Sequence, residues 1–392
     1  MKTPLFETFI VNDVRSDGFF IAHTASGLSP HVFYTDIGEN LSGEIFKRKR
    51  KLWCRNFTVS SNVSSFRTEP TCIHFTQCGG CDLRHLTYER QLSIKSLIAE
   101  KLLGVWPEHV IESPTTDHYR NYAAFNIEYG KTGFYRKMSR SLLDIEECLL
   151  MDNVINNELP SIHAIKADFE GEIRIKTCDS GIIRRDYPKF VSKEATKESL
   201  RYAQKTIDGI PYFVSPDTFF QSNDGILPAW LRTIERYVNV RKTPGTSLID
   251  LYSGAGTISL WLARSVGDVI GIENNPLAVF LATRSIEIMG FDATAVRYET
   301  GDLNSYDITH LNADILVVNP PRGGLSDNVI RYIREKKFAS VIYSSCNIAS
   351  FARDVFALHE YGLSEYTLVD MFPHTFHFET VGLLTRKEEH HG

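Results

Sequence analysis

Three groups of residues in this 392-residue chain have types and spacings that can do chemistry. Cys72, Cys78 and Cys81 are spaced C-x5-C-x2-C in "TCIHFTQCGGCDLRH", and Cys148 in "DIEECLLMD" can add a fourth thiolate from a distant loop. Four thiolates suit structural zinc or an iron–sulfur cluster, and the spacing leaves both open. The second group, "LIDLYSGAGTISLWLA", reads as strand, tight turn and helix. Gly254 and Gly256 let the backbone turn sharply and let a ligand approach where a Cβ would clash. Glu273 lies 19 residues after Gly254 at the end of the next strand, where a carboxylate can accept both hydroxyls of a ribose. A dinucleotide site shares this spacing, but its third glycine is Ser259 here. The third group is a single sulfur, Cys346 in "VIYSSCNIASFARDV", on a strand-to-helix turn. A lone cysteine is commonly a small core residue. Beside a helix amino terminus, which lowers thiol pKa, it is also a candidate nucleophile.

The elements that must position these groups fall into three expected domains. Residues 1–65 read as short strands ("LFETFIVNDV", "GFFIAHTA", "SPHVFYTD", "LSGEIFKRKRKLWCRNFTVSS") suited to a small OB-like β-barrel. The fourth of these carries Lys47, Arg48, Lys49, Arg50 and Lys51, followed by Trp53 and Arg55. That run is either a solvated face or a phosphate-binding groove. Residues 66–215 read as a β-rich central domain with a helix near 85–105, closed by Gly104, and a helix-like stretch near 193–205. From 216 to 392 short apolar strands alternate with helices, which implies a parallel sheet covered on both faces. "LSEYTLVDMF" and "ETVGLLTRK" follow each other without room for a crossover helix. A parallel α/β sheet ending in an antiparallel pair is the Rossmann-like outline of an S-adenosylmethionine-dependent methyltransferase.

That outline, with Asp250 before the glycines, favours adenosylmethionine over a dinucleotide. Asp302 in "GDL" follows the third strand, where an Asp commonly approaches adenine, although a plain loop Asp reads the same way. "NPPRGG" opens at the carboxyl edge of the sheet and lets Asn319 offer an amide. Asn-Pro-Pro with a following aromatic marks methyltransferases acting on exocyclic amines, but Arg322 stands in the aromatic position. Cys346 at the same edge suits another reaction. A thiolate adding to C6 of a pyrimidine makes C5 enolate-like, and a base must then remove the C5 proton to free the enzyme. Glu379 in "FPHTFHFETVGLL" is the expected base, with His374 and His377 lining the site or serving structure.

At these residues the sequence resembles the RNA uracil-5-methyltransferase family, whose members make 5-methyluridine in 23S ribosomal RNA or in tRNA. The resemblance is carried by "CIHFTQCGGCDLRHLTYERQLSIK", "PDTFFQSN", "DLYSGAG", "GIENN", "NPPRGGL", "IYSSCN" and "DMFPHTFHFE", in family order. It implies Cys346 as nucleophile and Glu379 as base. It also implies that Gln221, Tyr252, Glu273 and Asn319 contact S-adenosylmethionine, with Thr257 and Asp302 as further contacts. The cysteines become ligands of a [4Fe-4S] cluster at Cys72, Cys78, Cys81 and Cys148. Methyl transfer moves no net electrons, so the cluster's expected role is structural. The N-terminal barrel resembles the TRAM module, with RNA as partner, and the helix near 85–105 is implied to pack on the catalytic domain. Many members carry Asp where Asn319 stands. Asn-Pro-Pro-Arg resembles the ribosomal subset, so 23S rRNA is the expected substrate and uracil 54 of tRNA the alternative.

A net charge of −5 confines any polyanion site to a local patch. No apolar run reaches membrane-spanning length and the start lacks a signal-peptide core, so a cytoplasmic protein with reduced thiols is expected. A monomer is the default expectation. Two other readings compete: an exocyclic-amine methyltransferase acting on nucleic acid, and a non-catalytic RNA-binding iron–sulfur protein.

Overall fold

The computed structural model describes residues 5–189 and 201–387. Strands β1 (Leu5–Arg15), β2 (Phe19–Thr24), β3 (His31–Val32), β4 (Asn40–Arg48) and β5 (Lys51–Ser61) close a barrel in the order β1-β2-β3-β5-β4. Its inside is filled by the alternate residues Phe9, Val11, Phe20, Ala22, Leu41 and Ile45, all buried, as a period of two requires. The single fourth strand expected from the sequence is two strands. Lys49 and Arg50 both have positive φ, 46° and 66°, and make a two-residue hairpin turn between β4 and β5. Such turns favour Asn and Gly. A Lys-Arg turn therefore left no mark in the sequence, and the basic run occupies a hairpin tip.

Helix α1 (Tyr88–Leu103) ends at Gly104, whose φ of 77° lets its N–H return to the Glu100 carbonyl at 2.7 Å. By compactness the chain forms two units. The first comprises residues up to Trp106 with Phe134–Leu143 and Phe372–His377. The second comprises Pro107–Gly133, Asp144–Met371 and the chain from Phe378 onward. Within the first unit, the 372–377 segment is fastened to α1. The His374 N–H donates to Gln91 Oε1 at 2.8 Å, and Lys95 Nζ donates to the Phe372 carbonyl at 3.0 Å.

After β6 (His109–Ile111), strands β7 (Tyr122–Glu128), β8 (Lys131–Tyr135), β9 (Leu142–Asp144), β10 (Gly171–Cys178) and β11 (Gly181–Pro188) follow. The last five form an antiparallel sheet in the order β11-β10-β7-β8-β9, with α2 (Asn153–Asn156) and α3 (Leu159–Ile165) between β9 and β10. A hairpin of β12 (Ala203–Ile207) and β13 (Ile210–Val214) comes next. The helix-like stretch expected near 193–205 lies partly outside the described residues, and its end is strand. Lys205 and Ile207 are buried while Gln204 and Thr206 are exposed, a period of two that the short window concealed.

The eight-stranded sheet is built from β14 (Leu248–Leu251), β15 (Val269–Glu273), β16 (Val296–Thr300), β17 (Ile315–Val318), β18 (Ser340–Ser345), β19 (Tyr361–Val369) and β20 (Glu379–Arg386), with β6 at its edge. Its order is β16-β15-β14-β17-β18-β20-β19-β6. Strands β14 to β18 are parallel, β20 is antiparallel to both neighbours, and β6 runs parallel to β19. Helices α4 (Leu227–Asn239), α5 (Thr257–Leu262), α6 (Pro276–Met289), α7 (Asp327–Lys336) and α8 (Ile348–Ala357) provide the connections. Every residue of β14, β17 and β18 is buried, as a sheet covered on both faces demands. The winding reverses between β14 and β17, which opens a crevice at their carboxyl ends. Among the described residues no helix is long and apolar enough to cross a membrane.

Candidate active site

A cavity of about 780 Å³ lies at this crevice. Gln221, Tyr252, Thr257, Glu273, Asp302, Asn319, Cys346 and Glu379 all line it, so the structure brings together the eight residues singled out for cofactor binding and catalysis. The glycine turn forms one wall. Gly254 and Gly256 have φ of 56° and 79°, and a Cβ on Gly256 would strike the Tyr298 hydroxyl, itself 2.9 Å from Ser259 Oγ. Glu273 accepts the Gly254 N–H through Oε2 at 3.0 Å and the Asn275 N–H through Oε1 at 2.8 Å. Two main-chain amides thus aim its carboxylate at the cavity. Asp250 is not at the surface of the site. It is fully buried on β14, and burial pushes its carboxyl up to about 7.

Asp302 is held below the ordinary carboxylate range by hydrogen bonds from the Asn304 main chain and side chain. Gln221 is 2% exposed, and its Oε1 has no hydrogen-bond partner among the described residues. An orphaned acceptor facing a cavity is what a ligand donor would satisfy. The chemistry of this wall fits an adenosyl group: a carboxylate for a ribose, an acceptor amide, and main chain stripped of Cβ atoms.

Helix α8 and its cap steady the 319–325 loop of the cavity. Asp354, fully buried, accepts the Leu325 N–H and the Tyr343 hydroxyl through Oδ2, both at 2.7 Å. Arg353 Nη2 donates to the Gly323 carbonyl at 2.8 Å, and Asn347 Nδ2 donates to the Arg322 carbonyl at 2.8 Å. These bonds fix the 319–325 loop beside Cys346. Arg322, read from the sequence only as a departure from an aromatic, lines the cavity and acts electrostatically on the thiol. Phe219 was not singled out either. It stands 71% exposed on the cavity wall while its neighbour Phe220 is buried, a difference that "TFFQ" does not encode.

The expected lowering of the Cys346 pKa is corrected. Burial, and next the charge of Glu379, push the thiol up to about 11, against the pull of Arg322. The adjoining helix terminus is capped by Asn347, whose side chain accepts the Ala349 N–H at 3.2 Å. Glu379 is the first residue of β20, and it is 2% exposed. Burial raises its carboxyl to about 8, opposed by the Ser344 hydroxyl, 3.5 Å away, and by Arg322. His374 and His377 do not line this cavity; the main-chain carbonyl of His374 accepts the Asp82 and Leu83 N–H groups.

Of the clustered cysteines, Cys72, Cys78 and Cys81 are half-buried on one loop of the first unit, and the Gly80 N–H donates to Cys78 Sγ at 3.4 Å. Cys148 is half-buried in the second unit, where its N–H donates to Asn156 Oδ1 at 3.0 Å. Among the described residues no group of three or more His, Cys, Asp or Glu side chains is arranged to hold a metal ion.

A family model described as tRNA (Uracil-5-)-methyltransferase matches residues 166–387, more than half of the chain. The chain belongs to this family. Two uracil-C5 methyltransferases of Pyrococcus abyssi are similar to it over almost their full lengths. One, a tRNA (uracil(54)-C(5))-methyltransferase, is 29% identical over 96% of this chain and 99% of its own. The other, a 23S rRNA (uracil(747)-C(5))-methyltransferase, is 28% identical over the same shares. The crystal structure of a Pyrococcus abyssi tRNA (uracil-54, C5)-methyltransferase with S-adenosyl-L-homocysteine has the same fold, with a TM-score of 0.76 at 23% identity over 96% of this chain and 99% of that one.

Proposed function

We propose that this member of the uracil-5-methyltransferase family methylates C5 of a uridine in RNA, with S-adenosylmethionine as donor and a transient bond from Cys346 Sγ to C6. The observation that carries the reading is the sharing of one cavity by the glycine turn, Glu273, Cys346 and Glu379. Bound there, the sulfonium supplies an electrophilic methyl group. Gln221, Tyr252, Thr257, Glu273, Asp302 and Asn319 hold the donor. The Cys346 thiol gives its proton to solvent and its sulfur bonds to C6, which places electron density on C5. C5 would take the methyl group as its bond to the donor sulfur breaks, leaving S-adenosylhomocysteine, and the Glu379 carboxylate then removes the C5 proton. The C6–S bond breaks, the C5–C6 double bond returns, and the thiolate is released. RNA containing 5-fluorouridine has no C5 proton to lose, so it should remain bonded to Cys346. A Cys346→Ala chain that methylates RNA normally overturns the mechanism.

The Asn-Pro-Pro-Arg sequence at 319–322 favours 23S rRNA over tRNA as substrate. Methylating both in vitro and mapping 5-methyluridine by digestion and mass spectrometry decides it; label confined to tRNA overturns the preference. The RNA-facing surface includes the hairpin tip. Arg48, Lys49, Lys51 and Arg140 line a recess of about 500 Å³ with Phe19 and Trp53, and no acidic residue lines it. Arg48 Nη2 donates to the Met138 carbonyl at 2.7 Å, so the turn bearing Arg140 is tied to the tip.

The reading extends to a four-iron cluster on Cys72, Cys78, Cys81 and Cys148. What motivates it is the C-x5-C-x2-C spacing of three thiols on one loop and the Gly80 amide that donates to Cys78 sulfur. Anaerobically purified protein should contain iron and acid-labile sulfide that Cys81→Ser removes. Stoichiometric zinc in their place overturns it.

A further inference from the structure

The segment from Ser215 to Asp224 carries Phe219 and Gln221 to the cavity wall, yet it lies outside any helix or strand. Its position is set by buried polar side chains of the antiparallel sheets beside it. Lys176 on β10 is 1% exposed and donates Nζ to the Thr218 carbonyl at 2.6 Å. Lys205 on β12 is 4% exposed; it pairs with Asp224 at 2.5 Å and donates to Thr177 Oγ1 at 2.6 Å. Asn121, 1% exposed, donates Nδ2 to the Gln221 carbonyl at 2.8 Å and to Asp224 Oδ1 at 2.5 Å, while its main-chain N–H reaches the Ser222 carbonyl at 3.0 Å. Arg185 on β11 pairs with Asp217. The main chain is therefore gripped on both sides of the Gln221 side chain.

Two buried lysines are a costly way to fill space, since an ammonium loses its hydration there and an apolar side chain would not. We propose that Lys176 is a positioning residue for the cofactor site, holding the Thr218 carbonyl so that the Gln221 side chain faces the donor, with Lys205 and Asn121 as its partners. This rests on the reading of the cavity as an S-adenosylmethionine site. The grip responds to pH. Burial, and next the charge of Lys205, lower the Lys176 pKa to about 7, while Asp217 and Asp224 oppose them. The Tyr122 ring lies 5.4 Å from Nζ on the β7 side. Below that value a charged donor holds the carbonyl; above it a neutral amine holds it more weakly.

The test is calorimetric titration of the full chain with S-adenosyl-L-homocysteine between about pH 6 and 9, for wild type and Lys176→Met. Wild-type affinity should fall as pH rises through the Lys176 titration. Lys176→Met should bind about tenfold more weakly at the acid end, the equivalent of one charge-assisted hydrogen bond. It should also lack that pH dependence, with an unfolding midpoint no lower than wild type. Glu379 titrates in both proteins, so the difference between the two profiles belongs to Lys176. Equal affinity at the acid end, or parallel profiles, overturns the inference. If Lys176→Met does not fold, Asn121→Ser must weaken binding by a similar factor with normal folding, and unchanged binding overturns it equally. Wild type that fails to bind S-adenosyl-L-homocysteine defeats the cofactor reading itself, a different result.

Discussion

Burial and the carboxylate of Glu379 together hold the Cys346 thiol up at about 11, while Arg322, lining the same cavity, draws it down. The nucleophile and the base of the proposed reaction thus oppose each other. Arg322 offsets this only in part, and the sulfonium of a bound donor would add a second cation. Alkylation of Cys346 by iodoacetamide, followed by peptide mass spectrometry, reads this out. Glu379→Gln should shift the pH profile of labelling to lower pH by roughly one unit, and Arg322→Met should shift it upward. Identical profiles would separate the three groups electrically.

Turnover should rise with pH through about 8. Below that value Glu379 carries its proton and cannot accept another, and the thiol is also un-ionised. Both groups push the rate the same way, so an acid-side optimum contradicts the assignment. Glu379→Gln should form the adduct with ordinary uridine RNA yet release product about 10² to 10⁴ times more slowly, the usual range for losing a general base. Gel-shifted RNA–protein adduct accumulating in the variant alone is the expected observation.

Stability should run opposite to activity. The folded-state pKa of Glu379 lies above its ordinary 4.5, at about 8. Its favourable contribution is therefore complete below 4.5 and is lost as pH rises through 8. Glu379→Gln has no proton to lose, so its advantage over wild type should grow across that window, reaching on the order of a few kcal/mol by about pH 9. Denaturant titrations at pH 5 and pH 9 measure it. An advantage independent of pH would mean that the carboxyl ionises freely in the fold.

What was legible in the chain was what local chemistry encodes. Gly254, Gly256, Glu273, Asn319 and Cys346 sit at strand ends or on the turns after them, where the change from apolar run to polar or glycine turn marks the carboxyl edge. Less legible were features set by contacts remote in sequence. The Lys49–Arg50 turn uses residues with no turn preference, so the pairing of β4 with β5 decides it. The pKa of Cys346 depends on burial, on Glu379 from another strand and on Arg322 from the loop beside it. Strand β6, three residues long, joins the sheet only because Thr367 to Val369 offer it an edge. Its own sequence has too little alternation to announce a strand.

Gly256→Ala should abolish binding of S-adenosyl-L-homocysteine while the protein still folds. The substitution is strained at a φ of 79°, and the new Cβ meets the Tyr298 hydroxyl beneath the turn, so the turn has to move. Gly290, also at positive φ but with open space around its Cβ position, is the control. Gly290→Ala should cost stability of about 1 kcal/mol and leave binding unchanged. Calorimetry on both variants separates backbone strain from loss of the ligand's approach.

The hairpin tip should account for a measurable share of RNA affinity, and that share should be electrostatic. Lys49, Lys51 and Arg140 face one recess without an acidic residue in its lining, and Lys51 also pairs with Asp17 at 3.5 Å, so the substitutions fall on Lys49 and Arg140. Each contact made releases counterions, and the logarithm of the binding constant should fall with the logarithm of salt concentration. Lys49→Glu with Arg140→Glu should weaken binding to rRNA fragments at low salt and flatten that slope by about one to two units. Binding of S-adenosyl-L-homocysteine, which involves the other unit, should not change. Equal slopes for wild type and variant would remove the tip from the RNA-binding surface, because a patch that touches phosphate cannot lose its charge without losing counterion release.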